Sequence, residues 1–142
     1  MPSERSAYVL ILVHMVASSL HGWSHFHAGV PTNLIQNVFI ATVIVAMPPF
    51  AGTFIALRKP HLGYALLLLS MAGSLAFGVA FHFVLDTPDL CINVRGVGAR
   101  MFLVSAVVLA VVELVGAVWS AYCWKHLIAL RKIVHAVPAE AG

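Results

Sequence analysis

The stretch that decides the fold is MFLVSAVVLAVVELVGAVWSAYCW, residues 101–124, in which Glu113 is the only charged side chain. A helix of about 20 apolar residues, rising about 1.5 Å per residue, crosses the hydrocarbon core of a bilayer. Three earlier stretches have a similar length and character, at residues 7–26, 33–57 and 62–85. The sequence therefore predicts an all-α fold, an integral membrane four-helix up-down bundle.

The composition supports this prediction and excludes an ordinary soluble fold. Of the 142 residues, 61% are hydrophobic and 9% are charged, whereas soluble domains are about 25% charged. Such an apolar chain could not cover a soluble surface with polar side chains, but it suits a lipid environment. We expect a single transmembrane domain over residues 1–142, since the chain is too short to add a separate soluble domain.

The basic residues indicate the orientation of the bundle. Arg95 and Arg100 lie between the third and fourth stretches, and the remaining basic residues lie on the opposite side: Arg5, Arg58, Lys59, Lys125, Arg131 and Lys132. The positive-inside rule places both termini in the cytoplasm and the connections 27–32 and 86–100 outside, and we expect a bacterial inner membrane. The basic amphipathic tail, residues 125–142, is then expected to contact anionic lipid headgroups rather than nucleic acid.

The first helix could be a signal peptide, and the second helix contains a pair of prolines. Arg5 and the run Ala17-Ser18-Ser19 would also suit a cleaved signal peptide, but His14 inside the apolar run favours a retained helix. Pro48 and Pro49 lie inside the second stretch. Because proline has no backbone N–H to donate, this pair predicts a kink or a local break in the helix.

The first helix carries a polar stripe. His14, Ser18, His21 and His25 follow one another at i, i+4, i+7 and i+11, which places all four within about 60° around a helix. Ionisable side chains are costly in lipid, so the stripe should face the interior of the bundle. Eight histidines occur in the chain, and the four outside the stripe and the third helix are expected to be ordinary interfacial residues: His27, His61, His126 and His135.

The third and fourth helices carry polar residues that can meet this stripe. On the third helix every fourth residue is small or polar, in the row Ser70, Ser74, Gly78, His82 and Asp86. Small residues at this spacing allow another helix to approach closely. Measured at about 1.5 Å per residue from the inner edge, His82 lies about 30 Å deep, His21 about 21 Å and His25 about 27 Å, all in the outer layer. Glu113, about 18 Å deep, falls between His14 and His21.

Three imidazoles and a carboxylate at one depth suit a first-row transition metal such as Cu, Zn or Fe. Our leading hypothesis is a membrane metalloprotein with its site near the outer face, where redox chemistry is one option. Cys91, in the outer connection, is a further soft candidate ligand, and Asp89 is an alternative to Asp86 either as a ligand or as a partner that holds an imidazole tautomer. The predicted site consists of His21, His25, His82 and Asp86, extended inward by Glu113 and His14.

A b-type haem is the first alternative. A bis-histidine haem needs one histidine from each of two facing helices, which His21 and His82 would supply. The four-helix architecture resembles that of superoxide oxidases and related b-type membrane cytochromes, although the likeness is one of architecture alone. Several histidines on one helix would be surplus for haem, and this favours a metal ion.

A second alternative is a non-catalytic subunit of a larger membrane complex. The polar stripe would then be a packing or proton-conducting seam, held by interhelical hydrogen bonds of about 0.6–2 kcal/mol each. Four short helices leave little room for an enclosed pocket, so a homodimer or a larger membrane complex is expected. Spacing indicates no catalytic triad and no phosphate-binding loop, and whether the chain is an enzyme stays open.

Overall fold

Four helices make up most of the chain in the computed structural model, which describes the backbone of residues 4–136 and the side chains of residues 4–132. These helices are α1 (Glu4–Ala28), α2 (Leu34–Ala56), α3 (Pro60–Val84) and α4 (Ala99–Ala136). Each is long and apolar enough to cross a membrane, and no strand occurs between residues 4 and 136. The predicted all-α fold with four helices of membrane-spanning length is confirmed.

The helices pack in a ring in which α1 contacts α4, α4 contacts α3, and α3 contacts α2, while α2 touches α1 less extensively. A tight turn at residues 57–59 joins α2 to α3, with Arg58 in a left-handed conformation at a φ of 60°. We call this the turn end of the bundle. The connections at 29–33 and 85–98 lie at the opposite end, which we call the loop end.

The outer surface of the bundle is apolar. On α1 the side chains that point away from the polar stripe are exposed, among them Leu12 at 63% and Leu20 at 59%, and on α4 Val118 is 64% exposed. The interior at the turn end is also apolar, with two packed clusters, the first built from Ala7, Ile55, Tyr64 and Cys123 and the second from Ile11, Ala51, Leu67 and Met71. An apolar outside around a partly polar inside is the arrangement that lipid requires.

The helix α2 remains helical through Pro48 and Pro49, but its hydrogen bonding widens to a π-helical turn over Ile40–Ala46. The N–H of Met47 donates to the carbonyl of Thr42, five residues back, which leaves the carbonyl of Val43 without a partner in its own helix because Pro48 has no N–H. The hydroxyl of Ser70 on α3 donates to that carbonyl at 2.6 Å. A side chain of the neighbouring helix thus replaces the backbone bond that proline removes.

The loop end depends on the last turn of α3 and on one glycine. The helix α3 ends in a second π-helical turn, Ala80–Val84, and Leu85 is extended, so that the chain leaves the helix direction directly before Asp86. Farther along the loop, Gly98 has a φ of 102°, and a Cβ there would lie 3.3 Å from the backbone of Ala28. Only glycine allows this loop to lie so close to the end of α1.

The helix α4 is longer than the bilayer is thick. Its 38 residues correspond to a rod of about 57 Å, against about 30 Å for the hydrocarbon core of a bilayer. The predicted span ended near Trp124, and the structure continues the same helix to Ala136, so the first part of the predicted basic tail is helical. Residues 137–142 of that tail, and the side chain of His135, lie outside the described residues.

Candidate metal centre

Three histidines from two helices converge at the loop end. His21 and His25 come from α1 and His82 comes from the π-helical turn that ends α3. One ring nitrogen from each lies within 4.8 Å of the others. His21 and His82 are both 6% exposed, and His25 is partly buried. The sequence predicted that these three side chains share a layer, and the structure brings them together.

Two serine hydroxyls, those of Ser24 and Ser105, lie beside Nδ1 of His21. Ser24 donates its hydroxyl to the backbone carbonyl of His21 at 2.6 Å, and Ser105 donates to the carbonyl of Phe102 at 3.0 Å. With the proton of Ser105 on that carbonyl, its oxygen can accept from Nδ1 of His21, 3.0 Å away. In this tautomer the Nε2 atom of His21 has a free lone pair.

The ring of His82 is held in the same way by the loop that follows α3. Its Nδ1 lies 3.2 Å from the backbone carbonyl oxygen of Asp89, which can only accept a hydrogen bond. The proton of the neutral ring is thus on Nδ1, and Nε2 carries the lone pair. The carbonyl of His82 also accepts the N–H of Cys91 at 2.9 Å, so the loop contacts this residue through two hydrogen bonds.

His25 faces a buried carboxylate. Its Nδ1 lies 3.5 Å from Oδ1 of Asp89, and neither atom has a hydrogen-bond partner among the described residues. The other oxygen of Asp89 accepts a hydrogen bond from the side chain of Gln36 at 2.8 Å. Gln36 in turn forms a capping box with Asn33 at the start of α2. The first turn of α2 therefore holds the carboxylate that faces His25.

The Nε2 atoms of His21 and His82 face one another 3.0 Å apart. When both ring protons are on Nδ1, both Nε2 atoms have free lone pairs that a metal ion can bind. When the proton of His21 is on Nε2, the two rings form a hydrogen bond with each other. Imidazoles whose outer nitrogen donates to an oxygen while the inner nitrogen is free are typical of metal-binding histidines.

Phe102 forms the apolar wall of the site. Its side chain is fully buried, and its ring centroid lies 5.3 Å from that of His21, 4.8 Å from that of His25 and 5.3 Å from that of His82. An apolar wall excludes water and orients the rings. The sequence pattern did not identify Phe102, because its role follows from the packing of α4 against α1.

The structure separates two further predicted residues from the three histidines. Asp86 is exposed, and its Oδ1 accepts a hydrogen bond from the side chain of Asn93 at 2.9 Å. Cys91 is partly buried, and its thiol is not part of the three-histidine group. Burial, with the nearby carboxylate of Asp89, raises the pKa of the Cys91 thiol, which disfavours the thiolate form that binds metals.

Glu113 and His14 form a separate polar pair deeper in the bundle. Oε1 of Glu113 lies 3.6 Å from Nε2 of His14, and both side chains are almost completely buried. The hydroxyl of Ser74 on α3 donates to the same carboxylate oxygen. Nδ1 of His14 has no hydrogen-bond partner among the described residues. From sequence we expected Glu113 between His14 and His21 in depth, and in the structure its carboxylate lies beside His14.

A cavity of about 250 Å³ connects the two polar groups. The three histidines and Asp89 line one side of it, Ser74 and Glu113 line another, and apolar side chains complete the wall: Ile40, Ile44, Phe77 and Leu109. Gly22 and Asn37 line it as well and are exposed, which marks where the cavity reaches the surface between α1 and α2. The structure thus contains room beside the histidines that the sequence did not lead us to expect.

The remaining histidines with described side chains lie away from the site. His27 is exposed and its ring centroid lies 4.9 Å from that of Trp23. His126 stacks on Tyr122 with ring centroids 6.1 Å apart, and His61 lies in the first turn of α3. None of the three belongs to the group of converging nitrogens.

No protein-family model matches the chain, and neither a curated protein nor a solved structure matches it. The side chains of the chain itself are then the basis on which a function is assigned.

Proposed function

We propose that the chain is a multi-pass membrane protein that binds one transition-metal ion through Nε2 of His21, His25 and His82. Four apolar helices with an apolar exterior support the membrane part of this proposal. The three converging ring nitrogens support the metal part. We further propose that the loop end faces outward and that both termini are cytoplasmic, which is the orientation that the distribution of basic residues predicts.

The observation that carries the proposal is the pair of facing Nε2 atoms, 3.0 Å apart, on His21 and His82. With both ring protons on Nδ1, a metal ion bound to the two Nε2 atoms would form two coordinate bonds of about 2.0–2.1 Å each. Ser105 and the carbonyl of Asp89 are placed to accept those Nδ1 protons. Asp89 would act beside His25 as the carboxylate that orients its ring.

Neutral imidazole ligands select Zn, Cu or Fe over hard cations such as Mg and Ca. Three histidines leave the fourth position of a tetrahedral ion open, as catalytic zinc sites do. Copper or iron at the same position would permit redox chemistry, and zinc would not.

A haem fits the same residues less well. Two axial histidines bind opposite faces of a porphyrin, so the macrocycle has to pass between their ring nitrogens. His21 and His82 approach to 3.0 Å, and Phe102 packs against both rings, which leaves no space for a macrocycle between them. The arrangement therefore favours a metal ion.

The test is purification without chelator, followed by elemental analysis, an absorption spectrum and titration of the metal-free protein with Zn²⁺ and Co²⁺. We expect about one metal ion per chain and no Soret band. The matched variant replaces His21, His25 and His82 by alanine together, and it should lose the bound metal. Absence of metal from the wild-type protein, or equal metal content in the triple variant, would overturn the proposal, and a stoichiometric Soret band would replace it by a haem.

A further inference from the structure

The cavity beside the three histidines has two chemically different sides. Its apolar wall includes Ile44, Phe77 and Leu109, and its polar groups are the histidines, Asp89, and the pair Ser74 and Glu113. An apolar pocket with a few convergent polar groups is the usual form of a small-molecule site. The volume of about 250 Å³ exceeds the roughly 150 Å³ of an engineered apolar cavity that accepts benzene.

Glu113 presents one unused acceptor to this cavity. Ser74 donates to Oε1, and no described residue donates to Oε2, which borders the cavity next to Gly78. A ligand in the cavity that carries an O–H or N–H group can donate to this oxygen.

Gly78 lies between Glu113 and His82, where the gap between the two side chains is about the size of one small group. A Cβ at this position would lie 3.9 Å from Oε2 of Glu113 and also 3.9 Å from Cδ2 of His82. Because glycine has no side chain, the part of the cavity between Glu113 and His82 stays open. A side chain larger than alanine would fill that space.

We infer that the cavity binds a small neutral molecule that donates a hydrogen bond to Oε2 of Glu113 and lies beside the open coordination position of the metal. This inference rests on the proposed metal site. With a divalent ion beside the two carboxylates of Glu113 and Asp89, the formal charges around the cavity cancel, so neither an anion nor a cation is favoured and a neutral molecule fits best. The volume and the apolar wall suit one aromatic ring with a hydroxyl or amine group.

The experiment uses phenol as the probe and Co²⁺ as a paramagnetic metal in the detergent-solubilised full chain. The relaxation rate of the phenol ring protons is measured by NMR with Co²⁺-loaded and with Zn²⁺-loaded protein, and the difference reports phenol that binds near the metal. We expect a clear enhancement with the wild-type protein. In Gly78→Leu it should fall at least fivefold, and Co²⁺ uptake is measured on the same sample because the new side chain lies next to His82.

Ala76→Leu is the matched control, because Ala76 is exposed on the same helix two residues away. It adds a side chain of the same size outside the cavity and should keep the enhancement. If Gly78→Leu does not fold or does not take up Co²⁺, Gly22→Phe is the second variant, since a Cβ at Gly22 has no atom within 4 Å and Gly22 lies at the opening of the cavity. It should also reduce the enhancement without loss of metal.

The outcomes separate the two proposals. A wild-type protein that takes up no Co²⁺ overturns the metal site and this inference together. Two results would overturn the proposed binding of a neutral molecule in the cavity and leave the metal site in place. The first is Co²⁺ uptake without enhancement of phenol relaxation, and the second is equal enhancement in Gly78→Leu and in the wild-type protein.

Discussion

His21 and His82 are 61 positions apart in the chain, yet their Nε2 atoms lie 3.0 Å apart in the interior of the bundle. Nδ1 of His82 donates to the carbonyl of Asp89, and Nδ1 of His21 lies 3.0 Å from the hydroxyl of Ser105. When both ring protons are on Nδ1, the two helices present two Nε2 lone pairs to one point, where they could bind a metal ion.

Removal of one of these histidines should remove the site. His82→Ala deletes a ligand and leaves two, so we expect metal affinity to fall by at least about 100-fold, more than the loss of an outer hydrogen bond causes. His27→Ala is the control, because His27 lies on α1 near His25 but is exposed. Competition with a chromophoric chelator measures both affinities. Equal affinities for the two variants would contradict the assignment of His82.

The two candidate carboxylates can be distinguished by amide substitutions. Asp89→Asn removes the charge beside Nδ1 of His25 and should weaken metal binding by about 10–100-fold. Asp86→Asn should have no effect, since Asp86 is exposed and an asparagine oxygen can still accept the hydrogen bond from Asn93. The same chelator competition measures both variants. A larger effect at Asp86 would support the original prediction from sequence that this residue is the ligand.

Ser105 should tune the affinity without binding the metal. Ser105→Ala removes the acceptor of the Nδ1 proton of His21, so the ring loses its fixed orientation and metal affinity should fall by about 10–100-fold. Ser19→Ala is the matched control, since Ser19 is exposed and bonds only to a carbonyl of its own helix. Unchanged affinity in Ser105→Ala would show that the tautomer of His21 is not held by this hydroxyl.

Bound metal should stabilise the fold, because the unfolded chain does not hold the three histidines together. At a free metal concentration about 100 times the dissociation constant, the gain is about 2.7 kcal/mol. Thermal unfolding in detergent, recorded with and without a chelator, measures this gain. The difference should disappear in His82→Ala, and a difference that persists there would indicate metal binding elsewhere.

The hydroxyl of Ser70 should contribute to stability independently of the metal. Ser70→Ala leaves the partly buried carbonyl of Val43 without a donor, which costs up to about 1–3 kcal/mol. Thr53→Ala is the control, because Thr53 is exposed and donates to a carbonyl of its own helix at 3.0 Å. Unfolding in mixed micelles of increasing denaturing detergent compares the two, and equal midpoints would contradict the role of Ser70 beside Pro48.

Helical periodicity predicted much of the site. His14, Ser18, His21 and His25 recur at a spacing that places them on one face, and all four point inward or partly inward in the structure. Because an ionisable side chain in lipid is costly, the face that carries the histidines is expected to point into the bundle. Depth along a helix is also computable from sequence, which is why the approach of His82 to α1 could be predicted.

The loop residues could not be predicted in this way. The row on α3 continues by spacing from His82 to Asp86, but the π-helical turn and the extended Leu85 turn the chain away, and Asp89 takes the place beside the histidines. No local pattern marks that change of direction. Ser105 carries no motif either, since its contact with His21 depends on how α4 packs against α1.

The length of α4 gives the site a mechanical connection to the far end of the molecule. Phe102 and Ser105, which contact the histidines, share one uninterrupted helix with Lys125 and Lys132. Ser105 and Lys125 are about 30 Å apart along it. A helix that rotates about its axis turns at both ends by the same angle. A partner that binds the basic end of α4 and rotates the helix would therefore also rotate Phe102 and Ser105 relative to the histidines.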